Sequence, residues 1–67
     1  MIGVKNLKLI KARKKAGLTQ IEVATKAKIS EISYQRIEYG TQRTSIDTAF
    51  LIADAVNSTV EELFRQV

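Results

Sequence analysis

The sequence has no cysteine, no histidine, no tryptophan and no proline, and only three glycines among its 67 residues. Each absence removes a class of reading. Without cysteine there are no disulfides and no thiolate metal ligands; without histidine there is no imidazole ligand and no Ser-His or Cys-His nucleophile. No phosphate-binding glycine loop is present, and Glu61 and Glu62 are neighbours on one short acidic stretch rather than a convergent carboxylate pair. These features exclude the familiar enzyme chemistries and leave a non-catalytic protein with no cofactor and no metal. No apolar run approaches the roughly 20 residues that span a bilayer. Lys5, Lys8 and Lys11 break the apolar residues near the N-terminus, so a secretory leader is not expected and a cytoplasmic protein is the default.

What is present is apolar residue content of 45% and a net charge of +4. That much apolar content argues against disorder, and the length fits one domain over residues 1–67. A chain of this size buries only about 60% of its unfolded surface, so its helices must pack well or self-associate. The charge is unevenly spread. Residues 1–43 carry ten Lys/Arg against three Asp/Glu; residues 44–67 carry only Arg65 against Asp47, Asp54, Glu61 and Glu62. A basic end and a mildly acidic end suit a protein with one face toward a polyanion, although a solvated lysine-rich helix would look the same.

The hydrophobic pattern is helical throughout, with no alternation long enough for a strand. The expected architecture is all-α, a compact bundle of five short helices. Helix 1 is predicted over about Lys5–Ala16, with Leu9, Ala12, Arg13 and Ala16 on one face, ended by Gly17. Helix 2 starts at Thr19, where Thr19 and Glu22 form a capping box, and turns Val23, Ala24 and Ala27 inward. Helix 3 follows the N-cap Ser30, places Tyr34 and Ile37 inside, and is closed by Gly40. Only Lys28-Ile29-Ser30 separates helices 2 and 3, which forces a tight corner. Helix 4 follows Ser45 to about Val56 and is expected to bury Ile46, Ala49, Ile52, Ala53 and Val56. Helix 5 begins at a second capping box, Thr59 with Glu62, and carries Leu63 and Phe64.

Gly17-Leu18-Thr19-Gln20, Val23-Ala24, Ile29-Ser30, Arg36-Ile37-Glu38 and Gly40 resemble the DNA-binding domain of the lambdoid phage repressor and Cro family, the xenobiotic-response-element-type regulators. The resemblance continues through Ser45-Ile46 and Ile52-Ala53 to Val60-Glu61-Glu62-Leu63-Phe64 and covers nearly the whole chain. It implies a lambda-repressor-like fold whose second and third helices form a helix-turn-helix. Ala24 is small where the two helices cross, Ile29 fills the corner and Ile37 anchors helix 3. The chain departs from the family at three places. Lys28 replaces the corner glycine, at a left-handed cost of about 1–2 kcal/mol. Tyr34 replaces the usual Ile or Val, so its hydroxyl must reach solvent or a partner. Thr44 replaces a proline.

The resemblance also implies roles. Helix 3, at about residues 31–39, would enter the major groove of double-stranded DNA. Glu31, Ile32 and Arg36 would read bases, through a cytosine amine, a thymine methyl and a guanine edge, with Gln35 in reserve for adenine. Glu31 also suits the helix dipole, and Arg36 also suits phosphate. Ser30 and Ser33 share the outward face. Thr19 and Gln20, at the start of helix 2, would meet a phosphate, with Tyr39, Thr41, Gln42 and Arg43 along the other strand. Lys26 and Lys28 would add long-range attraction. Arg13 and Glu38 would form a structural ion pair; a phosphate contact is the alternative for Arg13.

The family implies homodimers on palindromic operators, with half-sites about 34–36 Å apart. Leu51 and Ala55, expected opposite the buried stripe of helix 4, and Phe64 and Val67, expected at the exposed C-terminus, are the dimer candidates. Isolated exposed apolar residues are also ordinary. The expected function is a small transcriptional regulator, most simply a repressor. The alternative is an antitoxin-like component that binds a partner protein and its own operator.

Overall fold

A computed structural model describes residues 4–65. The described residues contain five α-helices joined by short turns: α1 (Leu7–Lys15), α2 (Gln20–Lys26), α3 (Glu31–Tyr39), α4 (Ile46–Ala55) and α5 (Val60–Phe64). They pack into a body of 29 × 22 × 21 Å. The all-α bundle and the tight α2–α3 corner are those expected from the sequence.

Helix starts follow one rule. Asn6, Thr19, Ser30, Ser45 and Thr59 each accept a hydrogen bond from the backbone amide three residues on, satisfying a donor that has no partner within the helix. The Thr19 box is complete: the Glu22 amide donates to Thr19 Oγ1 at 3.2 Å and the Thr19 amide donates to Glu22 Oε1 at 2.8 Å. The second box forms only by half. Thr59 accepts from the Glu62 amide at 3.1 Å, while the Thr59 amide makes no return bond to the Glu62 carboxylate. The first helix begins two residues later than its pattern suggests, because Asn6 caps it and residues 4–6 stay outside the helix.

Helix ends follow a second rule. The first four helices are each followed by a left-handed residue: Gly17, Lys28, Gly40 and Asn57, with φ of 74°, 61°, 77° and 58°. In each case the next amide reaches back to a carbonyl of the last turn, as Leu18 to Arg13, Ile29 to Ala24, Thr41 to Arg36 and Ser58 to Ala53. These are Schellman closures, and they satisfy carbonyls that would otherwise be orphaned. Lys28 therefore adopts the left-handed corner geometry without glycine.

The core is built from Leu9, Val23, Ala24, Ala27, Tyr34, Ile37, Ile52, Ala53, Val56 and Leu63, with Ala12, Leu18 and Ile29 packed against it. Ala24 is small where α2 meets α3. Three expectations need correction. Ile46 is 61% exposed; it has the right phase for the buried stripe, but the first turn of α4 lies beyond the edge of the core. Ala55 packs partly against the core and so lies on the flank of that stripe, not opposite it. Phe64 is likewise half-buried against the core, because α5 turns it and Leu63 toward α1 and α4. Val67 lies outside the described residues.

The N-terminal segment is tied down at three points. The Asn6 amide donates to the Glu38 carbonyl at 2.8 Å, and the Asn6 side chain donates to the Leu63 carbonyl at 2.8 Å. The backbone of Val4 lies directly over Gly40, where a Cβ would overlap its carbonyl. Gly40 is thus required twice, for its positive φ and for the close approach. No helix among the described residues is long and apolar enough to cross a membrane.

Candidate nucleic-acid interface

The centre of the site is a buried carboxylate. Glu38 is 1% exposed, near the end of α3, and both its oxygens are occupied. Oε2 accepts from Arg13 Nε at 2.6 Å and from the Tyr34 hydroxyl at 2.6 Å. Oε1 accepts from Gln20 Nε2 at 2.9 Å, with Arg13 Nη2 at 3.4 Å. Arg13 also donates to the Leu18 carbonyl at 3.1 Å, across the α1–α2 turn. Burial pushes the Glu38 carboxyl up, but hydrogen bonds from Arg13, Tyr34 and Gln20 together outweigh it and hold the group below its ordinary value. The bond to Glu38 raises the Arg13 guanidinium, and burial of Tyr34, reinforced by its bond to Glu38, pushes the phenol well up. The pair is charged, the phenol neutral.

This cluster locks α1, α2 and α3 together. It also answers the question raised by Tyr34. The ring fills core volume as Ile or Val would, and its hydroxyl finds a partner one turn along the same helix. The sequence marks Arg13 and Glu38 as a pair; it gives no sign that Tyr34 and Gln20 complete the shell.

Outside this cluster, α3 presents a free face. Ser30, Glu31, Ile32 and Arg36 are exposed, and Ser33 and Gln35 are half-exposed. Ile32 is 60% exposed and belongs to no core contact. Thr19 is exposed as the N-cap of α2, and the Gln35–Gln20 hydrogen bond at 3.2 Å brings the start of α2 beside α3. Ser30 spends its hydroxyl oxygen on the Ser33 amide at 3.1 Å. Tyr39, the last residue of α3, and Thr41, Gln42 and Arg43 in the segment that follows it are exposed. The Tyr39 ring carries Lys5 Nζ at 5.8 Å from its centroid, a cation over its face. Lys26 and Lys28 flank the corner, both exposed.

Gln20 differs from its sequence expectation. Its side-chain amide is turned inward to Glu38, and its side-chain carbonyl accepts from Gln35 Nε2 at 3.2 Å. Its backbone amide makes no hydrogen bond among the described residues and is available to a phosphate. The two glutamines instead join the buried cluster to the exposed face.

No group of His, Cys, Asp and Glu among the described residues could hold a metal. The face is built for hydrogen bonding and charge, with no convergent nucleophile and base.

Solved structures share this architecture. The restriction-modification controller protein C.AhdI from Aeromonas hydrophila superposes with a TM-score of 0.80 at 24% identity, over 88% of this chain and 89% of that one. The N-terminal DNA binding domain of SinR from Bacillus subtilis gives 0.80 at 22% identity, over 91% and 90%. The clp gene regulator ClgR from Corynebacterium glutamicum gives 0.80 at 21% identity, over 87% of this chain but 62% of its own length. At these identities the likeness is one of fold. None of the curated protein sequences matches the chain. The sequence profile of the Helix-turn-helix family, however, matches residues 9–63, which span the whole of the α2–α3 corner, the buried cluster and the exposed face of α3. The chain therefore belongs to the helix-turn-helix family of DNA-binding regulators, in its Cro/C1-type branch.

Proposed function

We propose that this protein is a repressor that binds a palindromic operator as a homodimer, with α3 in the major groove. The observation that carries the reading is the division of α3 into two faces. Tyr34, Ile37 and Glu38 anchor it inward, while Glu31, Ile32 and Arg36 stand outward. An exposed isoleucine between an acid and an arginine has no structural task on a monomer, and the three side chains match base-edge chemistry.

Contacts to phosphate frame the readers. The backbone amides at the start of α2 and the side chain of Thr19 serve one strand; Tyr39, Thr41, Gln42 and Arg43 serve the other. The net charge of +7 over residues 1–43 supplies attraction that does not depend on sequence.

Self-association is supported by α4. Phe50 is 60% exposed and Leu51 38%, with Ile46 one turn before Phe50. The acidic residues of α4 and α5 keep this side away from a polyanion, which suits a surface reserved for a second copy. Phe64 of α5 lines the same hollow as Ile46 and is half-buried against the core.

Selection of bound sequences from random duplex DNA tests the reading. The expected product is two inverted half-sites about one helical turn apart. A single unpaired site would remove the homodimer, and no enriched sequence would remove specific readout.

A further inference from the structure

The cluster around Glu38 does more than hold the helices: it dictates how one outward side chain must be turned. A carboxylate can only accept hydrogen bonds. Gln20, at 2.9 Å from Glu38 Oε1, must therefore point its NH₂ group inward. Its carbonyl oxygen is then fixed on the other side, at 3.2 Å from the Gln35 side chain. That oxygen also only accepts, so Gln35 must in turn direct its own NH₂ group at Gln20. Glu31, one turn before Gln35 on α3, presents a second acceptor to the same NH₂ group at 3.5 Å. The Gln35 NH₂ group thus lies between two acceptors on the protein, of which Gln20 Oε1 is the nearer. Its carbonyl oxygen accepts no hydrogen bond from any described residue.

Amide orientation is normally free to suit a ligand. Here it is set by a chain of obligatory assignments that starts at a buried charge and ends on the outward face of α3. With its NH₂ group drawn toward Gln20 and Glu31, Gln35 leaves its carbonyl oxygen as the half that is free for a base, rather than the donor-and-acceptor pair with which a glutamine grips adenine. Glu31 beside it offers acceptors alone.

We propose that Gln35 and Glu31 form an acceptor-only reading surface, selecting a base with an exocyclic amino group, cytosine or adenine, and rejecting guanine and thymine. This rests on the proposal that α3 lies in the major groove. There cytosine N4 and adenine N6 donate, while guanine O6 and thymine O4 accept and would face an acceptor across the contact. Gln20 and Glu38 are positioning residues for this surface, since they act through Gln35.

The test is selection from random duplex DNA with the full chain and three variants. The base read by Gln35 is the one whose preference disappears in Gln35→Ala. In the wild type that base should be cytosine or adenine, favoured over guanine or thymine by about tenfold or more. Gln35→Glu, which keeps the shape and offers only acceptors, should retain the same preference even if overall affinity drops. Gln20→Met, which unhooks Gln35, should weaken the preference at that base relative to the rest of the site. Enrichment of guanine or thymine there, reversal in Gln35→Glu, an unchanged preference in Gln20→Met, or no base lost in Gln35→Ala would each overturn the inference while leaving DNA binding intact. Failure of the wild type to enrich any duplex would overturn the groove-binding proposal and this inference with it. Base preferences are ratios within one sample, so a loss of stability in a variant does not alter the readout.

Discussion

Tyr34 donates its hydroxyl proton to the Glu38 carboxylate at 2.6 Å, one turn along the same helix, and both side chains are shut off from solvent. A phenol in the core is costly unless its hydroxyl is used, and a buried carboxylate is costly unless its oxygens are filled. Each residue resolves the other's problem. Tyr34→Phe keeps the ring and removes one donor from a charged acceptor, so stability should fall by about 1.5–3 kcal/mol. In a domain of this size that lowers Tm by about 10–20 °C. Base preference should not change, because Gln20 still holds Glu38 Oε1. Thermal unfolding followed by circular dichroism measures the loss, and an unchanged Tm would contradict it.

Acid should unfold the protein through the same carboxylate. Glu38 is held below its ordinary value of 4.5 in the folded state. A depressed carboxyl contributes stability above its unfolded pKa, and that contribution is lost as pH falls through the folded value. Stability should therefore be level just above pH 4.5 and decline below it. Glu22, lowered by its bonds to Thr19, adds to the same limb. Tyr34→Phe removes one of the bonds that depress Glu38, so its acid midpoint should lie at higher pH than that of the wild type. Equal midpoints would mean that the hydroxyl does not tune the carboxylate.

Two glycines separate backbone strain from steric overlap. Gly17 and Gly40 both have positive φ, but a Cβ at Gly17 meets nothing within 4 Å, while one at Gly40 runs into the Val4 backbone. Gly17→Ala should cost about 1–2 kcal/mol, the left-handed penalty alone. Gly40→Ala should cost more and should lift residues 4–6 from the end of α3. Hydrogen exchange at the Asn6 amide, which donates to the Glu38 carbonyl, should accelerate in Gly40→Ala only.

The α4 surface makes a separate prediction. Phe50 is 60% exposed and Leu51 38%, and neither belongs to the buried core, so a charge at either can reach solvent. Phe50→Glu combined with Leu51→Glu should leave Tm of the isolated domain nearly unchanged and shift sedimentation toward monomer. Operator affinity should then fall, since each half-site is bound singly. A variant that sediments as the wild type does would remove this face from the interface.

Much of this architecture is legible in the sequence, for local reasons. Thr19, Ser30 and Ser45 mark helix starts because a cap is a contact between near neighbours in the chain. Gly17 and Gly40 mark ends because a left-handed residue is needed there. Asn57 does the same task without glycine, and Asn6 caps α1 inside a stretch whose apolar spacing looks helical. What spacing cannot reveal is where a helix overhangs the core, which is why Ile46 has the right phase and the wrong environment. The resemblance points to Arg13 and Glu38 as partners, but the inward turn of Gln20 and its hold on Gln35 depend on three helices meeting. The outward face of α3 follows directly from helical phase once Ile37 and Tyr34 are set inward.

DNA is expected to meet the outward face of α3, with the α2 N-terminus beside it. Titrating the isotope-labelled protein with its selected duplex, and following backbone amide shifts, tests it most directly. The largest changes should fall on residues 19–21 and 30–43, should weaken steeply with added salt, and should be small across α5. Changes centred on α4 and α5, with α3 unmoved, would contradict the account.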